Sequence, residues 1–158
     1  MKTIKITIFI VTLLSFANTY AKENNTVTVK LNLLKPGMSI LLKYKKLPVY
    51  VIHRTSNDIR YLEKKRGKNK LRSRRTKYFI TWGYNPSSGC QLVYASSLDK
   101  EWWKGHDVYG HGGLVDPCLK VEYDLTGRAF KSYTNSILEL PIPSYKFLTG
   151  NTLVIGNE

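Results

Sequence analysis

Past residue 26 the apolar residues come in short bursts, each closed by a turn signal, and this punctuation constrains the chain more than any other feature. Residues 26–31 alternate, with Val27, Val29 and Leu31 set against Thr28 and Lys30, and predict a strand. Lys35-Pro36-Gly37 is a turn. Residues 39–43 and 47–53 predict a strand pair around the polar Lys45-Lys46 corner. β character resumes at 78–82, 92–94 and 119–123, and then at 137–142, 145–148 and 152–155. Between these segments lie a turn-rich stretch at 83–89, a loop at 96–107, a glycine-rich loop at 110–113 and the turn Asp124-Leu125-Thr126-Gly127. Strands so short and so often interrupted predict an all-β fold, an antiparallel sandwich or partly open barrel. The 158 residues show no internal repeat, which leaves room for one hydrophobic core.

The first residues read differently. Lys2 and Lys5 precede an apolar stretch at 6–16 that is short for a membrane span. Ala17 and Ala21 each end a triplet with small residues at the positions a signal peptidase reads. The polar run from Lys22 favours cleavage after Ala21. Residues 1–21 are therefore expected to be an export signal, and 22–158 a periplasmic or secreted domain. A retained segment would instead anchor the chain to the membrane. No paired arginines precede the apolar stretch, which fits an export route for unfolded chains.

Formal net charge is +14, and removing Lys2 and Lys5 leaves the chain strongly basic. The excess is concentrated at about 57–77, where Asn57 or Asp58 is a candidate cap for a short helix carrying Ile59 and Leu62. The cations Lys64, Lys65, Arg66, Lys68, Lys70, Arg72, Arg74, Arg75 and Lys77 follow, with Leu71 the only apolar residue among them. Such a run predicts a surface loop or insertion, and its partners by charge are an acidic protein face, nucleic acid or anionic lipid. Trp102 and Trp103 are candidate anchors for a ligand or partner.

The chain has two cysteines, Cys90 and Cys118. An even count in a chain bound for an oxidising compartment predicts one disulfide rather than reactive thiols. No Ser-His-Asp or Cys-His pattern stands out, and Gly110, Gly112 and Gly113 lack the strand–helix context of a phosphate loop. No catalytic residue is assigned. His106, His111 and Asp116 make a weak candidate metal site whose spacing matches no motif of known mechanics.

Several stretches resemble one family. Asp116-Pro117-Cys118, Tyr123-Asp124-Leu125-Thr126-Gly127-Arg128, Leu138-Glu139-Leu140-Pro141-Ile142-Pro143-Ser144-Tyr145-Lys146-Phe147 and Leu153-Val154-Ile155-Gly156 are similar to the C-terminal half of the Rieske iron–sulfur subunit of cytochrome bc1 complexes. Leu34-Lys35-Pro36-Gly37 and the run Leu47-Pro48-Val49-Tyr50-Val51-Ile52-His53-Arg54-Thr55 resemble its opening strands. The resemblance implies a Rieske-like fold in which two loops hold a [2Fe–2S] cluster, each supplying one Cys and one His. The loops read Cys-Thr-His-Leu-Gly-Cys and Cys-Pro-Cys-His-Gly-Ser in that family. A disulfide joins the last Cys of the first to the second Cys of the other.

Here the first loop reads Asn85-Pro86-Ser87-Ser88-Gly89-Cys90 and the second Asp116-Pro117-Cys118-Leu119-Lys120-Val121. The resemblance places Asn85 and Asp116 where the ligand cysteines stand, and Ser87 and Leu119 where the ligand histidines stand. Cys90 and Cys118 match the disulfide. Val121 takes the place of a Ser that bonds a bridging sulfide, and the Pro-rich cover is absent, with Thr134, Asn135 and Ser136 in that region. Tyr123 matches a family Tyr that tunes a ligand sulfur. Thiolate or imidazole donors are needed to hold such irons, so the expectation is no cofactor. The lack of twin arginines agrees, since a cluster loaded before export obliges the chain to travel folded.

The leading expectation is an exported, redox-inactive Rieske-fold module that binds a cell-envelope protein through its disulfide-joined loops and basic segment. The alternatives are an electron-transfer subunit of a ubiquinol–cytochrome c reductase, an oxidoreductase subunit with a [2Fe–2S] cluster, and a nucleic-acid or anionic-lipid binder acting through the basic run.

Overall fold

A computed structural model describes residues 25–99, 101, 104, 110–131 and 137–156. The expected export signal at 1–21, Trp102, Trp103, His106 and Thr134 to Ser136 lie outside the described residues. Nine strands are described: β1 Val27–Lys30, β2 Ser39–Tyr44, β3 Leu47–His53, β4 Tyr78–Trp82, β5 Val93–Ala95, β6 Gly113–Asp116, β7 Val121–Asp124, β8 Tyr145–Thr149 and β9 Thr152–Ile155. One helix, α1 (Ser56–Arg66), joins β3 to the basic loop before β4.

The strands form three antiparallel sheets, ordered β1-β9-β8, β2-β3-β4 and β5-β6-β7. The middle sheet is covered on both faces. Val49 and Val51 of β3 and Ile80 of β4 turn toward Val29, Leu153 and Ile155 of the first sheet. Their neighbours Tyr50, Ile52 and Phe79 turn the other way, toward Leu62 of α1, Leu114 and Tyr123. A strand buried on both faces reads as a continuous apolar run, which is why 47–52 shows little alternation. Lys45 and Lys46, both at positive φ, make the two-residue turn between β2 and β3 that matches strand twist.

Three sequence expectations change. The short helix expected at the start of the basic stretch is present, but its cap is neither Asn57 nor Asp58: Thr55 caps α1, its hydroxyl accepting from Asp58 N–H while the Asp58 carboxylate accepts from Thr55 N–H, and the helix carries the cations as far as Arg66. Leu62 and Leu71 enter the second core, so two apolar residues are enough to bury a face that composition alone did not predict. Residues 137–142 form no strand; only an isolated bridge, Glu139 to Arg128, pairs there, and Pro141 has no N–H to donate to a ladder. Conversely, the end of the glycine-rich loop is strand β6, central in its sheet. The all-β expectation holds for the sheets, with the one expected α-helix longer than anticipated.

Candidate functional site

The two matched loops leave the ends of β4 and β6 and meet. Cys90 and Cys118 are disulfide-bonded, with Cα atoms 6.4 Å apart. Behind the disulfide lie the two positions expected from the resemblance to carry ligand cysteines. Asn85 and Asp116 are both completely buried, and the Asn85 amide nitrogen donates to Asp116 Oδ2 at 2.6 Å. The amide orientation follows from chemistry, because an ionised carboxylate only accepts. The Asn85 oxygen is then free to accept from Ser87 N–H at 2.9 Å. The same amide nitrogen donates to the Tyr123 hydroxyl at 3.2 Å, and that hydroxyl donates to Ile137 O at 3.2 Å.

Asp116 organises the second loop as well. Its Oδ1 accepts from Cys118 N–H (2.8 Å) and Leu119 N–H (3.1 Å), and Oδ2 accepts from the Ser88 hydroxyl at 2.7 Å. Burial alone pushes this carboxyl up. Hydrogen bonds from Ser88, Leu119, Cys118 and Asn85 outweigh burial and hold it below the usual carboxylate range. Ser88 in turn receives Cys90 N–H at 3.1 Å. One buried carboxylate therefore reaches both loops and the backbone beside both cysteines.

The donor set does not fit a [2Fe–2S] cluster. The cysteine sulfurs are bonded to each other, so the cluster of Cys90, Asp116 and Cys118 offers no thiolate. Ser87 and Leu119 supply no imidazole, and both Asp116 oxygens are occupied by N–H and O–H donors. Two ligand atoms on one tetrahedral metal at about 2.3 Å stand roughly 3.7 Å apart. Asn85 and Asp116 meet at 2.6 Å, a direct hydrogen bond with no space for an ion between them.

The other expected site residues are dispersed. His111 lies against α1, its ring stacked on Tyr61 at 3.5 Å, and among the described residues it joins no group of metal-ligating side chains. Burial pushes its imidazole down, opposed by Asp58 and helped by Lys65. Arg66 is committed to the buried Asp124 at 2.8 Å. Arg72 donates to Thr126 O and Leu140 O, both at 2.9 Å, and pairs with Glu139. Arg74 and Arg75 lie over the Tyr145 and Phe147 rings, and Lys65 over Phe130. Lys64 is exposed.

Two contributors were not singled out from the sequence. Ser88 looked like any turn serine, yet it links both loops through Asp116. Arg54, matched only as part of a longer run, is buried and donates to Leu71 O, Thr76 O and Leu125 O. Burial brings its guanidinium down to about 10, against the pull of Asp124, Tyr145 and Asp58, so it stays charged at neutral pH. A lone charge directly after an apolar strand is the signal that marks it.

A stapled pair of loops projecting from small antiparallel sheets is the architecture of a Rieske domain. The structure overlays on a chain of a hyperthermophilic respiratory Complex III with a TM-score of 0.53 at 17% identity, covering 90% of this chain and 82% of that one, which establishes the fold. In sequence it is 27% identical to the ubiquinol–cytochrome c reductase iron–sulfur subunit of Allochromatium vinosum, over 84% of this chain and 70% of that protein. It is 25% identical to the mitochondrial cytochrome b-c1 complex subunit Rieske-1 of Arabidopsis thaliana and 26% to the Rieske subunit of Candida albicans. The chain spans 46% and 58% of the length of these two mitochondrial relatives. No family model matches the chain. The chain is a relative of the Rieske iron–sulfur subunits of ubiquinol–cytochrome c reductase, and it holds the Cys90–Cys118 disulfide expected from that resemblance.

Proposed function

We propose that this protein is an exported, redox-inactive Rieske-fold module that binds a cell-envelope protein through its stapled loops. The observation that carries the reading is the Asn85–Asp116 hydrogen bond, which fills the ligand end of the loops with a polar contact. A buried carboxylate with four donors and a disulfide hold the loops in one conformation. A preorganised surface loses little entropy when it binds. Pro86, Ser87, Gly89, Pro117 and Cys118 are exposed on that surface and present small side chains and backbone to a partner.

Electron transfer is what the names of the curated relatives imply for those proteins. Here the donor set argues against it, and no specific contact favours it. Export rests on the residues at 1–21; among the described residues no helix is long and apolar enough to cross a membrane.

The test is site-specific photo-crosslinking in the native envelope, from Ser87 on the loops and from Lys43 on β2. One protein captured from Ser87 and not from Lys43 supports the reading. Equal capture from both positions, or none from Ser87, contradicts it.

A further inference from the structure

Several strand ends gather at the pole opposite the stapled loops. His53, the last residue of β3, donates its N–H to Met38 O at 2.9 Å and faces Tyr78, the first residue of β4. The stapled loop at 85–90 follows the other end of β4. The β8–β9 turn belongs to the same pole, because Arg75 donates to Gly150 O at 2.7 Å. So does the chain leaving β1, where Leu31 N–H donates to Asn151 O at 2.9 Å.

This pole exposes large apolar side chains: Leu33 is 76% exposed, Leu148 56% and Met38 48%. Two cations belong to the same pole: Arg75, which donates to Gly150 O, and Lys77 line a hollow of about 500 Å³ against Tyr78, Gly150 and Asn151. Arg72 and Arg74 line a second hollow, of about 460 Å³, along the start of β8. Among the described residues no acidic side chain lines either hollow. The Tyr145 and Phe147 rings, which would serve a nucleic-acid strand by base stacking, already carry the Arg74 and Arg75 guanidinium groups at 5.5 and 4.2 Å. Exposed apolar side chains at the same pole as Arg75 and Lys77 fit a surface that offers both acyl chains and anionic headgroups.

We propose that this pole seats on an anionic lipid membrane, with Leu33, Met38 and Leu148 entering the headgroup–acyl boundary and Arg75 and Lys77 meeting lipid phosphates. The stapled loops then face away from the bilayer. The proposal stands on these side chains and does not depend on what the loops bind.

The test is flotation of the chain from Lys22 with vesicles of phosphatidylglycerol and phosphatidylethanolamine, and with phosphatidylcholine vesicles. This chain omits the apolar stretch at 6–16, which would partition by itself, and retains every described strand and buried core residue. The expected result is binding to the anionic vesicles only. Leu33→Ser with Leu148→Ser should weaken it on the order of tenfold, and Arg75→Gln about fivefold. Leu138→Ser, at an equally exposed leucine beside Glu139, should leave it unchanged. The proposal is overturned by equal binding to both vesicle types, by no binding, or by a double-leucine variant that floats like its parent. Retention on single-stranded DNA together with insensitivity to the leucine changes would also overturn it, in favour of nucleic acid.

Discussion

Replacing Asp116 with Asn tests whether the carboxylate holds the two loops together. The substitution keeps the shape and removes the charge. If the new amide oxygen stays on Cys118 N–H and Leu119 N–H, its nitrogen confronts the Asn85 amide nitrogen, now 2.6 Å from a carboxylate oxygen. Two donors then face each other. Turning Asn85 over relieves this only by taking its oxygen away from Ser87 N–H. The first arrangement leaves a buried donor without an acceptor, at about 1–3 kcal/mol, the second strips the part-buried Ser87 N–H of its partner, and in both the remaining bonds lose their charge assistance. The expected total is roughly 2–3 kcal/mol at neutral pH, read as a lower urea midpoint with an unchanged slope.

The same variant has a pH signature. The folded pKa of Asp116 lies below its ordinary value of 3.8, so the unfolded chain takes up this proton first as pH falls. The contribution is complete above the ordinary value and disappears as pH drops through the lowered folded value. The stability gap between the parent and Asp116→Asn should therefore be widest at neutral pH and close as pH falls below about 4. No gap at pH 7, or a gap of constant size down to acid, would refute the reasoning.

Reducing the disulfide, or changing both Cys90 and Cys118 to Ser, should lower stability by about 3–4 kcal/mol for a loop with a sequence separation of 28, measured by urea unfolding with and without reductant. Arg54→Met should cost on the order of 3 kcal/mol, since three carbonyls would lose their shared donor in the interior, and differential scanning calorimetry would record it. Tyr123→Phe should cost about 1 kcal/mol, because its hydroxyl links Asn85 to Ile137 O; a change near zero would show that the hydroxyl is only packed.

Much of this was legible in the sequence. The strands at β1 to β4 and at β8 and β9 follow from short apolar runs, alternating only in β1, that turn residues bound on each side, and these are local signals. Strand β6 was hidden because Gly112 and Gly113 read as loop. At Gly112 an added Cβ would lie 2.9 Å from Leu125 Cδ1, so close packing rather than a turn explains that glycine. The helix was underestimated because its stability comes from Leu62 against a distant core, which no local window contains. At the site, the residue types expected at the ligand positions were read from the resemblance alone, as was the pairing of Cys90 with Cys118. That Asn85 and Asp116 would bond to each other, with Ser88 joining them, was not legible, because it depends on two loops 31 residues apart folding face to face.

The proposed redox-inactive role requires that the loop end of this Rieske fold, where Asn85 and Asp116 bond to each other, hold no cluster. Iron and acid-labile sulfide content of the protein purified without air from its own host, with its visible absorption spectrum, tests this most directly. The expected result is a colourless protein with iron far below one atom per chain. About two irons and two sulfides per chain, with a [2Fe–2S] absorption envelope, would contradict it.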